Sequence, residues 1–266
     1  MKPLILVSND DSYRAKGVYA LIDRLVAIGD VVAVCPEHPQ SGKSMALTVT
    51  EPLRIKPLPD YKGAKMYNVN GTPVDCIKLA MHHVLRRKPD IVVTGINHGS
   101  NAGVNVLYSG TMGAAMEATT FGLPAIGFSL TDHSHDADFT PCLKAVDMLV
   151  EAVLKYGLPP EVSLNVNVPN IHTLPKEMRL CEPCRGRWND EYREYTDPFG
   201  GKFYWLAGDF ENLEPDNDRT DEWALEHDMI SVVPVSIERT LREEIKVDWL
   251  KSVIKNYNES VNDSNC

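Results

Sequence analysis

No segment of the 266-residue chain holds the roughly 18–20 consecutive apolar residues that a membrane-spanning helix requires. The first apolar run, Leu4 to Val7 behind Lys2, is too short for a secretory signal and lacks a small-residue cleavage site, so the expected location is the cytoplasm. Cysteine is sparse. Six in the whole chain do not make a disulfide framework, and cytosolic thiols stay reduced. Cys181-Glu182-Pro183-Cys184 is a lone CxxC with no second pair or zinc-spaced histidines close behind it. Positive charge is also short: 27 Lys and Arg against 37 Asp and Glu leave a net charge of −10. That balance argues against stable binding to nucleic acid or an anionic membrane. An anionic substrate would therefore need local cations, helix N-termini or a metal. Internal repeats, low-complexity blocks and the GxxxxGK[ST] phosphate loop are absent as well.

What is present is an ordinary globular composition, 43% hydrophobic and 24% charged, in which short apolar runs alternate with helical patterns. Leu4–Val7, Val31–Cys35, Ile91–Val93, Ala125–Phe128, Val162–Val168 and Ile230–Pro234 read as strands, as do two shorter runs, Leu47–Thr50 and Leu53–Ile55. Helical spacing runs from Val18 to Ile28, Pro73 to Leu85, Met112 to Phe121, Ala145 to Tyr156 and Val247 to Tyr257. Strands alternating with helices predict an α/β fold, a doubly wound and mostly parallel sheet. The expected organisation is a single domain over 1–266. Its core lies at about 1–170 and 226–240, an irregular β-rich excursion at about 170–225, and a C-terminal helix and tail at about 245–266. Val162–Val168 alternates apolar and polar residues.

In open α/β sheets ligands bind at the carboxyl ends of strands, and three unusual segments fall there. Asn9-Asp10-Asp11 follows the first strand, Ser41-Gly42-Lys43-Ser44 the second, and Gly95-Ile96-Asn97-His98-Gly99-Ser100-Asn101 the run at Ile91–Val93. Adjacent carboxylates repel and resist desolvation, and a divalent cation would offset that. The carboxylates, hydroxyls and carboxamides of these loops are hard oxygen ligands suited to Mg²⁺ or Mn²⁺. Pattern alone leaves Ser41 and Ser44 as alternatives. The bland reading of the doublet is a solvated turn or helix cap.

Tyr108-Ser109-Gly110-Thr111 opens a helix of small residues. Free N–H groups there favour an anion, with plain N-capping as the ordinary alternative. Thr72 before Pro73 reads as a cap. The stretch Thr131 to Asp138, mixing His and Asp, reads as a solvated loop, and His82-His83 as a surface or packing pair.

These segments, with Asn70-Gly71-Thr72-Pro73-Val74-Asp75, Leu164-Asn165-Val166-Asn167-Val168-Pro169 and Thr220-Asp221, closely resemble the SurE family of stationary-phase survival proteins, which are metal-dependent nucleoside monophosphate phosphatases. The resemblance spans roughly residues 4 to 240. It implies a Rossmann-like domain with a β-hairpin and C-terminal arm used in dimer or tetramer assembly. It implies one divalent metal per subunit, Mg²⁺ or Mn²⁺, at positions matching Asp10, Asp11, Ser41 and Asn97. Asp10, Asp11 and Ser109 are the implied catalytic residues. Asn9, Ser41, Gly42, Ser44, Asn97, Asn101, Ser109, Gly110 and Thr111 are the implied substrate and phosphate contacts. The implied activity is that of a 5′- and 3′-nucleotidase, a phosphoric monoester hydrolase, with short polyphosphate as a further substrate. Ser12 departs from the family's Asn-Asp-Asp-Gly. A serine is costly there if the turn requires positive φ.

Three rivals stand beside this reading. A haloacid-dehalogenase-like phosphatase needs Asp-x-Asp, where this chain has Asp10-x-Ser12. A phosphoacceptor signalling domain that binds Mg²⁺ needs an acceptor aspartate after a middle strand, where this chain offers Asn97. A non-catalytic nucleotide-binding regulator is separated from an enzyme only by an activity assay. The sequence offers no strong candidate for the leaving-group acid; His98 and a metal-bound water are the alternatives.

Overall fold

The computed structural model describes residues 2–238. In it, the apolar runs form strands whose side chains alternate between two hydrophobic layers. Along β1 (Leu4–Ser8), Ile5 and Val7 enter one layer and Leu6 the other, as the two-residue strand period requires. Helix α1 (Lys16–Ile28) leads to β2 (Asp30–Pro36), and the hairpin of β3 (Ile55–Tyr61) and β4 (Ala64–Val69) follows. Helix α2 (Pro73–Leu79) continues as a wider helical turn through Val84. Then come β5 (Ile91–His98), α3 (Gly110–Thr120), β6 (Ala125–Leu130), α4 (Thr140–Tyr156) and β7 (Val162–Val168).

The excursion supplies β8 (Met178–Leu180), β9 (Gly186–Asn189), β10 (Tyr192–Thr196), β11 (Lys202–Leu206), β12 (Asp209–Asn212) and α5 (Asp221–Glu226), before β13 (Ile230–Ser236) closes the described chain. The nine-stranded sheet runs β3-β4-β2-β1-β5-β6-β7-β13-β8. From β4 to β7 the strands are parallel. β3 runs antiparallel to β4, and β13 antiparallel to β7. Helices α1 and α4 pack together, as do α2 and α3, so the mostly parallel, Rossmann-like sheet is confirmed. The chain winds outward from β1 in one direction and from β5 in the other. The β1–β5 pair is thus the topological switch point, where such sheets open a crevice at the strand ends.

The excursion forms two further two-stranded ribbons, β10–β11 and β9–β12. The first presents Tyr192, Tyr204, Trp205 and Leu206 to solvent. Among the described residues no helix is long and apolar enough to cross a membrane. The helix expected at Val247–Tyr257 lies outside the described residues.

Four expectations change. Leu47–Thr50 is not a strand: it has no strand neighbour and is held by side chains of α2 and its cap. Strand β5 extends past Val93 to His98, with a register shift against β6 between Thr94 and Asn97. Leu53–Ile55 meets a strand only at Ile55, where β3 begins. In β7 the asparagines of the alternating segment, Asn165 and Asn167, are buried.

Candidate active site at the strand switch point

Four chain segments converge where β1 and β5 end. The backbone carbonyl of Asp10 accepts the N–H of Gln40 at 2.7 Å, tying the first loop to the one after β2. Oδ2 of Asp11 accepts the N–H of His98 at 3.0 Å, tying it to the end of β5. The Thr111 hydroxyl donates to Oδ1 of Asp10, which brings in the start of α3. The N–H of Ser44 donates to the Tyr108 carbonyl at 3.0 Å, laying the Ser41–Ser44 loop beside the same helix start.

The closeness depends on absent side chains. A Cβ on Gly110 would lie 2.8 Å from Asp10 Cβ, and one on Gly113 would lie 2.2 Å from the Ser44 carbonyl oxygen. Small residues at the head of α3 are thus a steric requirement of the site.

Asp10 is buried, Asp11 largely so. Burial, then the Asp11 charge, pushes the Asp10 carboxyl up to about 6, opposed by the Thr111 hydrogen bond. Burial also raises Asp11, opposed by the His98 N–H. Asn9 sends its amide to the Ser12 carbonyl at 2.8 Å, while its buried Oδ1 has no protein partner. Asn97 donates to the Gly99 carbonyl at 2.9 Å, which leaves its Oδ1 as the available acceptor. Ser41 and Gly42 are exposed on their loop.

Among the described residues no group of three or more His, Cys, Asp or Glu side chains could hold a metal ion. A cation here would be held by the acidic pair with neutral oxygens such as Ser41 and Asn97. Two destabilised carboxylates and an orphaned amide oxygen fit a hard divalent ion.

Ser109 is the N-cap of α3, its Oγ accepting the Met112 N–H at 3.0 Å. The hydroxyl hydrogen is left to donate. Asn101 is more engaged than a ligand contact requires. Its N–H donates to Asn167 Oδ1 at 2.8 Å, its carbonyl accepts from Asn165 Nδ2 at 2.8 Å, and its Nδ2 donates to Ser129 Oγ at 2.7 Å.

Ser12 has φ +83°, the left-handed conformation that a glycine would occupy without strain. Thr72 caps α2 in a reciprocal box with Asp75. The same pair reaches the β2 loop: Thr72 Oγ1 donates to the Ala46 carbonyl at 2.7 Å, and Asp75 accepts the Thr48 N–H at 3.2 Å.

The Thr131–Asp138 loop is mostly exposed, with Asp136 paired to Lys16. Its inner edge nonetheless borders the site. His98 Nδ1 contacts the Ser134 carbonyl at 3.0 Å, and the His133 ring lies against Gly99. Nothing in the spacing signals that contact. His82 packs on Phe121. Cys181 and Cys184 are free and buried, with Cys184 Sγ bonded to Asn212. A cavity of about 660 Å³ at the β8 edge, lined by Arg179, Cys181 and Asp218, contains none of the site residues.

The family model described as survival protein SurE matches residues 5–190. A protein of Cytophaga hutchinsonii named 5′-nucleotidase SurE is 46% identical over 253 residues, spanning 93% of this chain and 97% of the relative. A Chlorobaculum tepidum protein of the same name is 41% identical over 260 residues, 96% of this chain and 97% of the relative. The crystal structure of SurE protein from Aquifex aeolicus superposes with a TM-score of 0.80 at 34% identity, covering 94% of this chain and all of that one.

Proposed function

The chain belongs to the SurE family, and from that premise we propose that it is a nucleotidase: a phosphomonoesterase dependent on one divalent ion, Mg²⁺ or Mn²⁺, that hydrolyses nucleoside 5′- and 3′-monophosphates. Short polyphosphate is a second substrate. The observation that carries the reading is the meeting of Asp10 and Asp11 with the start of α3, each carboxyl pushed up first of all by burial.

Asp10, Asp11, Ser41 and Asn97 would hold the ion, which supplies Lewis-acid polarisation of the phosphoryl group and a more acidic bound water. The chain's own groups do the rest. Ser109, with Oγ engaged by Met112, donates its hydrogen to a phosphoryl oxygen, and the positive end of α3 favours charge building there. Asp11, anchored through Oδ2, keeps Oδ1 to orient the attacking water and take its proton. The P–O bond to the nucleoside breaks, and the departing oxygen takes a proton from water or from His98. Loop contacts from Ser44 and Gly110 close the site around the phosphate.

The exposed aromatic side chains on β10–β11 support a homodimer or homotetramer assembled through that ribbon.

The test is phosphate release from a panel of 5′- and 3′-nucleoside monophosphates and short polyphosphate, with Mg²⁺, with Mn²⁺ and with EDTA. Release that requires metal supports the reading. Nucleotide binding without release under any metal would replace it with a non-catalytic regulator.

A further inference from the structure

The loop that delivers Ser109 is not held by its own sequence neighbours alone. It leaves β5 at His98 and reaches α3 through a 3₁₀ turn, Gly103–Leu107. The turn and Ser109 are one hydrogen-bonded piece: the carbonyl of Asn105 accepts the N–H groups of both Tyr108 and Ser109 at 3.0 Å. Two ties reach this piece from the excursion. Oδ2 of Asp221 accepts the Gly103 N–H at 2.8 Å, across 118 residues. The Trp188 indole N–H donates to Oδ1 of Asn105 at 2.9 Å.

Asp221 is fully buried. Its other oxygen, Oδ1, accepts the N–H groups of Cys184 at 2.8 Å and Glu222 at 2.9 Å. One carboxylate therefore joins the entrance of the excursion, the start of α5 and the Gly103 turn.

We propose that the excursion from Cys184 to α5 is a clamp on the phosphate-binding loop, with Asp221 and Trp188 as positioning residues that set the place of Ser109. Neither touches substrate. The claim rests on the assignment of Ser109 to the phosphate, and it gives the irregular segment a role inside its own subunit. A donor displaced by an ångström loses much of its effect, so the clamp acts on phosphate affinity and turnover. The acidic pair follows β1 and has ties of its own, to the His98 N–H and the Thr111 hydroxyl, that neither Asp221 nor Trp188 makes.

Two variants cut the ties selectively. Asp221→Asn keeps an acceptor for Cys184 and Glu222 but turns an amide N–H₂ toward the Gly103 N–H. Trp188→Phe keeps the ring and removes the indole donor, on a residue already 37% exposed. Steady-state kinetics on AMP are paired with calorimetric binding of inorganic phosphate and of Mn²⁺, well below the unfolding temperature. Asp221→Asn is expected to raise KM and weaken phosphate binding by about tenfold, with kcat reduced and Mn²⁺ affinity kept within about twofold. Trp188→Phe is expected to move the same quantities in the same direction by about threefold.

Unchanged phosphate affinity and KM in both variants would overturn the clamp, as would equal losses of phosphate and Mn²⁺ affinity, or a wild-type protein that binds no phosphate. If the wild type binds phosphate without turning over, and Asp221→Asn weakens that binding, the clamp stands and the nucleotidase reading falls.

Discussion

The Thr111 hydroxyl donates its hydrogen bond to Oδ1 of Asp10, joining the head of α3 to the end of β1 across 101 residues. The bond stabilises a charge that the surroundings oppose, for burial and Asp11 hold the Asp10 carboxyl up at about 6. The site thus costs stability when it is metal-free and ionised.

Asp10→Asn is the variant that separates these effects. Asp10 has a raised folded-state pKa, so its favourable contribution is complete below about 4 and is lost as pH rises through about 6. At pH 8 the metal-free wild type carries the full penalty. Asp10→Asn should then be the more stable protein, by on the order of 2 kcal/mol, while metal-dependent phosphate release is abolished. Thermal melts in EDTA at pH 4 and pH 8 check the first part, with little of the gain expected at pH 4 and all of it at pH 8. An active variant with unchanged metal dependence would remove Asp10 from the site.

Ser12 occupies a conformation at φ +83° that costs a non-glycine residue about 1 kcal/mol. Its hydroxyl returns little, accepting the Arg14 N–H at a long 3.3 Å. Ser12→Gly should raise the midpoint of thermal unfolding by a few degrees and leave KM and kcat near their wild-type values, because Asn9 bonds the Ser12 carbonyl and not its side chain. A lower midpoint would mean that the hydroxyl contributes more than the backbone costs.

The parts of this arrangement that could be read from sequence are those set by burial on both faces of the sheet. Strands β1, β2, β5, β6 and β13 show as apolar runs because each face meets a helical layer. The acidic doublet stands out because it ends such a run. Long-range polar bonds leave no comparable signature. Leu47–Thr50 resembles a strand by residue type, yet its hydrogen bonds go to Asp75 on a distant helix. Asn165 and Asn167 give the alternation of a half-exposed strand but are covered by the loop at Asn101. Strands β8 to β12 are three to five residues long, and most of their side chains are exposed, so no periodicity could develop. Asp221 sits beside a recognisable threonine cap, and nothing near it in sequence points to Gly103.

Asp75 is a second joint of this kind. One carboxylate closes the capping box on Thr72, at 2.9 Å, and receives the Thr48 N–H. Asp75→Ala should cost about 2 kcal/mol through the lost cap and an orphaned N–H. It should also free the loop that carries Ser41 and Ser44. Hydrogen exchange should accelerate at Thr48 and Ala46 more than in β1 or β5, with KM for nucleotide increased. Uniform acceleration across the sheet would indicate general destabilisation and no specific hold on the loop.

Glu222 gives a pH signature well away from the acidic doublet. Burial, then the charges of Asp221 and Glu226, pushes its carboxyl up to about 7. The folded state therefore holds the proton more tightly than the unfolded chain, whose glutamate titrates near 4.3. The stabilisation is complete below that value and declines as pH rises through about 7. By pH 8 the loss should reach on the order of 2 kcal/mol, since the group keeps part of its hydration. Glu222→Gln retains the shape without the charge, so its stability should match wild type at pH 3.5 and exceed it at pH 8 by about 5 °C in melting temperature. The difference between the two proteins isolates this residue from the other carboxylates that titrate over the same range. A difference independent of pH would show that Glu222 is ionised at little cost and that α5 is open to solvent at that point.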